Sequence, residues 1–403
     1  MLQDWLYNNI EKFCRFFQTT IGTPSSKRLH SVFFGGVLAS LYCLLQFLSS
    51  PLFGALSDVF GRKYILLISI SGTLLSYIIW ANANTFTLFV LSRIIGGFSK
   101  ASVSICIAAM ADVYSQNNVG QGMAVIGGSF SIGFLIGPIF GVYFSRSTNR
   151  GSELIISAVA KFDIILTIME FAFVALILPE TLEISKRKTL ARHVWNNCMS
   201  YIKPKALFQF SVVKNRLNKT GIKKMQLYGR AYFLYIFLYS GLEFTLSFLT
   251  HTRYSYDSMQ QGRMYFFIGA LMIITQGGIV RRIPVHKQHT AIIYGVLFTV
   301  CAYIIIGYST RIEVFYFGLA LYAIASSLVV PCMTTCTSNL APSDVKGATI
   351  GVFRSLGALA RALAPLFAST VFWLHGPTVC YSIGGCLLIL PIVILRQVSS
   401  EAR

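Results

Sequence analysis

The sequence predicts an all-α polytopic membrane protein, and three observations predict it. Of its 403 residues, 55% are hydrophobic and 12% are charged, with a mean hydropathy of +0.64. A soluble domain carries about 25% charge. The apolar residues fall in runs long enough to cross a bilayer, for which a helix needs about 20 residues. The 34 Lys and Arg, against 14 Asp and Glu, gather between those runs. That placement assigns the net charge of +20 to membrane topology and excludes a nucleic-acid partner.

Residues 1–30 are too polar to span. Trp5, Phe13, Phe16 and Phe17 predict an amphipathic extracytoplasmic segment lying at the interface. Spans are then expected at about 31–56, 64–83, 86–111, 122–145, 154–178, 230–250, 264–281, 289–308, 314–335, 347–373 and 376–395, eleven in all. Residues 31–178 form an N-terminal half of five spans and 230–403 a C-terminal half of six. Between them, 179–229 holds Lys186, Arg187, Lys188, Arg192, Lys203, Lys205, Lys214, Arg216, Lys219, Lys223 and Lys224 against the lone acid Glu183 beyond its opening Pro179-Glu180. The positive-inside rule makes this loop cytoplasmic. Alternation puts Arg62 and Lys63, Arg281, Arg282 and Lys287, Lys346 and the C-terminus on the same side. The sequon at Asn218 lies in that loop and is expected to be unused.

The halves repeat weakly. Asn117 to Gly127 leads to Gly137-Pro138, and Ser343 to Gly351 leads to Ala364-Pro365, an offset near 227 residues. Gly54 and Asp58 have a degenerate counterpart in Gly278 and Arg282. Two six-helix halves are the pattern of a parallel-repeat transporter. An even pair needs one more helix before residue 31, so the sequence is read as lacking its first helix.

The motifs sharpen this. Gly54-Ala-Leu-Ser-Asp58-Val-Phe-Gly61-Arg62-Lys63 is a short Gly/Asp/basic turn wedged between two spans. Gly54 and Gly61 suit tight packing and a sharp turn. The turn resembles the cytoplasmic-loop signature of the major facilitator superfamily, with Val59 in place of a basic residue. Gly133-Phe-Leu-Ile-Gly137-Pro138-Ile-Phe-Gly141 resembles that family's antiporter signature; small residues every fourth position also serve plain helix packing. Leu178-Pro179-Glu180-Thr181-Leu182 matches another family signature. Gly122 to Gly127, Tyr239 to His251, Val330-Pro331-Cys332 and Arg354 to Arg361 resemble one animal subgroup of the family. The resemblance implies the major facilitator fold and export of small organic anions, exchanged for or coupled to protons. It also implies a gate: Asp58 capping the helix that starts near Gly347–Gly351, and Arg62 paired with Asp112.

Charges inside spans cost about 2.5–3.5 kcal/mol each on insertion scales, so each must be paired, hydrated or useful. Arg93, in Arg93-Ile-Ile-Gly96-Gly97, resembles the family's R-x-x-x-G signature, linked to substrate or proton coupling; a packing or snorkelling arginine is the plainer alternative. Lys100 lies seven residues on, so the two share a helix face, with structural and functional roles both open. Glu243, an acid among apolar residues, suits proton coupling or a hydrogen-bonded structural role. Arg354 and Arg361 also share a face, and either line a positive cavity with Arg93 or pair with Asp163, Glu170 or Glu243.

The nine Cys are scattered and no His cluster has ligand spacing, so neither disulfides nor a metal is expected. No cofactor is expected beyond a coupling proton, and the protein is expected to be a monomer in the lipid bilayer. A membrane enzyme lacks its catalytic cluster, and a seven-helix receptor is excluded by the span count. A non-transporting scaffold or sensor, or an inactive truncated transporter, is the other class. Composition places the chain in a membrane as a multi-pass protein without choosing between the plasma membrane and an internal one, the nuclear envelope included.

Overall fold

The computed structural model describes residues 4–21, 27–113, 151–187, 202–211, 213–214, 217–342 and 346–400, with 129, 132, 133, 136, 137, 140, 143 and 144 between them. The described residues contain helices and no strand. The helices are α1 (Trp5–Ile21), α2 (Lys27–Phe60), α3 (Arg62–Ala81), α4 (Phe86–Ser99), α5 (Ser102–Val113), α6 (Gly151–Leu176), α7 (Pro204–Phe208), α8 (Lys219–Tyr254), α9 (Ser258–Gly278), α10 (Val285–Tyr308), α11 (Ile312–Leu340), α12 (Lys346–Leu387) and α13 (Ile389–Ser400). Ten of the eleven expected spans coincide with these helices; the other, 122–145, lies mostly outside the described residues. Among the described residues, seven stretches are both long and apolar enough to cross a membrane.

Boundaries shift where local chemistry differs from hydropathy. The span expected over 86–111 is two helices, α4 and α5, because Lys100 leaves the helical region (φ −78, ψ 56). Helix α8 starts at Lys219, drawing Lys219, Lys223 and Lys224 of the basic loop into its first turns, with Asn218 as N-cap to the Gly221 amide at 2.9 Å. Helix α12 holds two crossings that meet at Gly376, whose φ of 78° only glycine takes readily.

In the first half, α3 packs on α4, α5 and α6, burying Phe53, Ile65, Leu66, Ile70, Ala101, Ile105 and Val174. In the second, α8 packs on α12 and α13, α10 on α11 and α12, and α9 on α11, around a larger core that includes Tyr235, Tyr303, Tyr322, Phe353 and Tyr381. The halves meet along α2, which packs on α12 and touches α8. At Gly36 the two helices approach so closely that a Cβ would lie 2.5 Å from that of Ser369 and 2.8 Å from the Pro365 carbonyl oxygen. Beside Pro365, which has no N–H to give its helix, the Leu366 N–H donates across the seam to Ser40 Oγ at 2.9 Å.

Helix α1 rests on that seam. Tyr7 meets the rings of Phe34 and Phe86, and Ile10 packs on the stacked pair of Phe33 and Trp373, whose centroids are 5.1 Å apart. Trp5 and Phe16 face outward, 78% and 70% exposed, as a segment at a membrane interface would have them.

Candidate functional site

Three clusters of charge carry the candidate residues, and the first is the Gly54–Lys63 turn. Gly61, at φ 102°, lets the chain reverse between α2 and α3, and any side chain there would strike the Glu180 carboxylate. Glu180 accepts from the amides of Arg62 at 2.9 Å and Lys63 at 3.3 Å, placing a negative charge on the first turn of α3, where the helix dipole favours it. It also accepts from the Leu182 amide at 3.0 Å, and Arg187 Nη2 lies 3.8 Å from it. Arg62 is only 7% exposed. Its Nη1 lies 2.6 Å from Asp58 Oδ1 and 2.6 Å from Ser57 Oγ, and its Nε donates to Asp112 Oδ2 at 2.8 Å. One guanidinium thus joins the ends of α2, α3 and α5. Close packing does not explain Gly54, because a Cβ there would meet nothing within 4 Å. The capping expected of Asp58 at the helix start near Gly347–Gly351 falls partly on residues 346–348, of which only the backbone is described.

The second cluster lies inside the first half. The Arg93 guanidinium sits 4.2 Å from the Trp80 ring centroid and 5.0 Å from that of Phe89. Such cation–π contacts are worth about 0.5–2 kcal/mol depending on desolvation. Its Nε is buried with no hydrogen-bond partner among the described residues. Tyr42 of α2, Tyr77 of α3 and Asp163 of α6 surround it electrostatically, and Asp163 also feels Lys100. Helix α4 ends at Ser99 with Lys100 as its C-cap, and Arg93 and Lys100 converge on one acid. Gly133 and Gly137 face open space among the described residues, while Pro138 and Gly141 fall outside them.

The third cluster is in the second half. Glu243 Oε1 lies 3.0 Å from the Tyr322 hydroxyl and 3.5 Å from that of Tyr239, and the two hydroxyls are 2.6 Å apart. The rings of Tyr239 and Tyr322 stack at 5.3 Å, and Tyr303 donates to the Tyr239 carbonyl at 3.1 Å. As a carboxylate, Glu243 accepts from these phenols; as an acid it can donate to one of them. Arg361 of α12 acts electrostatically both on Glu243 and on Cys43 of α2, across the seam between halves. Arg354 lies one heptad earlier, and Tyr232 stands between the two, its hydroxyl 2.8 Å from where a Cβ on Gly357 would be.

These clusters sit on a scaffold that the comparisons place. The model of the Major Facilitator Superfamily matches residues 13–365. The chain belongs to that superfamily. As a member of this family of membrane transporters it is an integral, multi-pass membrane protein. It is 40% identical to "Major facilitator superfamily domain-containing protein 10" from Bos taurus, over 99% of this chain and 86% of the relative. It superposes on the crystal structure of the human organic anion transporter MFSD10 (TETRAN) with a TM-score of 0.81 and 38% identity, covering 98% of this chain and 91% of that one. A shorter stretch, 26% of the chain, is 40% identical to the class H tetracycline resistance protein of Pasteurella multocida. In this superfamily member the tyrosines around Glu243 were not singled out by sequence. They come from α8, α10 and α11, positions 239, 303 and 322, and no local spacing links them. Glu180 stood in a recognised signature, yet its contact with the α3 amides lies 118 residues away in sequence.

Proposed function

We propose that the chain moves small organic anions across its membrane by alternating access, with a proton as the coupling ion. One observation carries this reading. A guanidinium with an unpartnered buried Nε, Arg93, lies in the first half, and a tyrosine-ringed carboxyl, Glu243, lies in the second. Arg93 keeps its charge at any physiological pH and can hold a carboxylate or sulfonate. Glu243 can gain or lose a proton while keeping its phenol partners. Arg361, at the seam, would connect them by drawing the anion toward Glu243 when that group is protonated and pairing with Glu243 when it is not. Lys100 and Arg354 would add positive potential to the same path.

In this reading, the Gly54–Lys63 turn with Asp112 and Glu180 latches the end of the first half that carries the basic loop, and the loop side is cytoplasmic. The contacts of Gly36 with Ser369, Ser40 with Leu366 and Phe33 with Trp373 close the opposite end. Helix α1 covers that end from outside, and the helix packing expected of Gly133, Gly137, Pro138 and Gly141 would guide the rocking motion. The human relative is an organic anion transporter, and 38% identity along nearly the whole chain supports the same substrate class here. Counterflow tests it: vesicles preloaded with an unlabelled organic anion should accumulate a labelled one transiently. Equal accumulation by protein-free vesicles would overturn the proposal.

A further inference from the structure

The turn between α9 and α10 stands in the second half where the Gly54–Lys63 turn stands in the first, and its chemistry is inverted. In the first half, the carboxylates of Asp58, Asp112 and Glu180 surround Arg62 and the start of α3. In the second, a depression of about 700 Å³ opens at the turn, lined in part by Arg282, Lys287, Thr290 and Tyr294, and among the described residues no acidic side chain lines it. Among the described residues, neither the Arg282 nor the Lys287 side chain has a hydrogen-bond or ion-pair partner, and both are exposed. Lys287, Thr290 and Tyr294 recur at i, i+3 and i+7, so α10 presents one ammonium and two hydroxyls on a single face. Immediately beyond, the apolar side chains of Ile274, Ile279 and Leu297 are 68%, 54% and 43% exposed, as lipid-facing residues are. Two free cations and two hydroxyls at the rim of an apolar, bilayer-facing surface match a phosphate head group attached to acyl chains.

We propose that this depression binds the phosphate of an anionic phospholipid, in the leaflet on the side of the basic loop. Basic pockets at helix ends facing the cytoplasmic leaflet recognise such head groups by charge and hydrogen bonding. The lipid supplies from outside the negative charge that the first half supplies with its own carboxylates.

Native mass spectrometry of the full chain in detergent tests this with three probes: phosphatidylinositol 4-phosphate, phosphatidylcholine of the same acyl chains, and inorganic phosphate. The wild type should retain the anionic lipid at least fivefold over phosphatidylcholine and ignore millimolar phosphate. The double variant Arg282→Gln/Lys287→Gln should lose that preference, while Arg282→Lys, which keeps the charge, should retain most of it. A matched pair away from the turn, Arg263→Gln in α9 and Arg311→Gln at the N-cap of α11, should leave it intact. Undiminished preference in the Arg282/Lys287 double variant overturns the site. Competition by inorganic phosphate at the lipid's own concentration overturns the lipid as its occupant. If the double variant does not fold, Lys287→Gln alone decides the question by the same readout.

Discussion

Arg93 and Glu243 show how much a single side chain owes to its neighbours. Arg93 lies over Trp80 with a planar guanidinium, a geometry that an ammonium cannot copy. Arg93→Lys should therefore lower organic-anion transport nearly as far as Arg93→Ala, at least tenfold, although the charge is kept. Initial uptake rates at matched protein levels check this, and full activity in Arg93→Lys would reduce its role to that of a point charge. Glu243→Gln keeps an acceptor for Tyr322 but cannot exchange a proton. It should abolish the response of transport to a pH gradient while leaving anion-for-anion exchange within about threefold of wild type, an estimate for a group that keeps its hydrogen bonds. Sequence alone exposed both residues, because a charge within an apolar run stands out. It did not expose Tyr239, Tyr303 and Tyr322, because tyrosine is common in membrane segments and these three meet only after three helices pack.

At the scale of elements, two contacts make separate predictions. Gly36 marks the closest approach of α2 and α12, so Gly36→Val must push the helices apart or shift Ser369. Such overpacking costs about 1–3 kcal/mol and should lower the thermal midpoint in detergent; an unchanged midpoint would mean the seam is looser than its geometry. The second contact anchors α1. Asp4 accepts from the Tyr7 amide at 3.0 Å and from the Thr87 amide at 2.7 Å. The Tyr7 hydrogen bond leads in holding its carboxyl below the ordinary value of 3.8. A folded-state pKa below the unfolded one stabilises docking above about pH 4 and loses that contribution as the pH falls through the folded value. Hydrogen exchange of the α1 amides, corrected for intrinsic rate, should therefore rise between pH 5 and pH 3. In Asp4→Asn it should be high at both, and an identical pH response in that variant would contradict the anchor. Hydropathy located the long helices within a few residues. It could not see the break at Lys100 or the early start of α8, which depend on backbone angles and a cap, not on apolar content.

For the whole molecule, two halves repeat in sequence and diverge in chemistry. The first half keeps its acidic turn, its Arg93 and its Trp80; the second replaces the acidic turn with cations and holds the titratable carboxyl. The repeat was legible because glycines and prolines recur at a fixed offset, and the Arg62–Asp112 ion pair because the two residues stand in recognisable positions. The difference in chemistry between the halves was not legible, since it rests on contacts such as that of Glu180 with Arg62, 118 residues apart. Arg62→Ala would leave the Asp58 and Asp112 carboxylates without their shared cation, at a cost of about 1.5–3 kcal/mol for hydrogen bonds to charged groups. It should bias the transporter toward opening at the basic-loop end, read as faster labelling of a cysteine placed at residue 60 in a background without reactive cysteines. The most direct measurement is uptake of a fluorescent organic anion into vesicles of reconstituted full chain, with and without an imposed pH gradient. Uptake above protein-free vesicles, accelerated by the gradient in the wild type but not in Glu243→Gln, is the predicted result; uptake by the wild type that equals the protein-free control or ignores the gradient would contradict it.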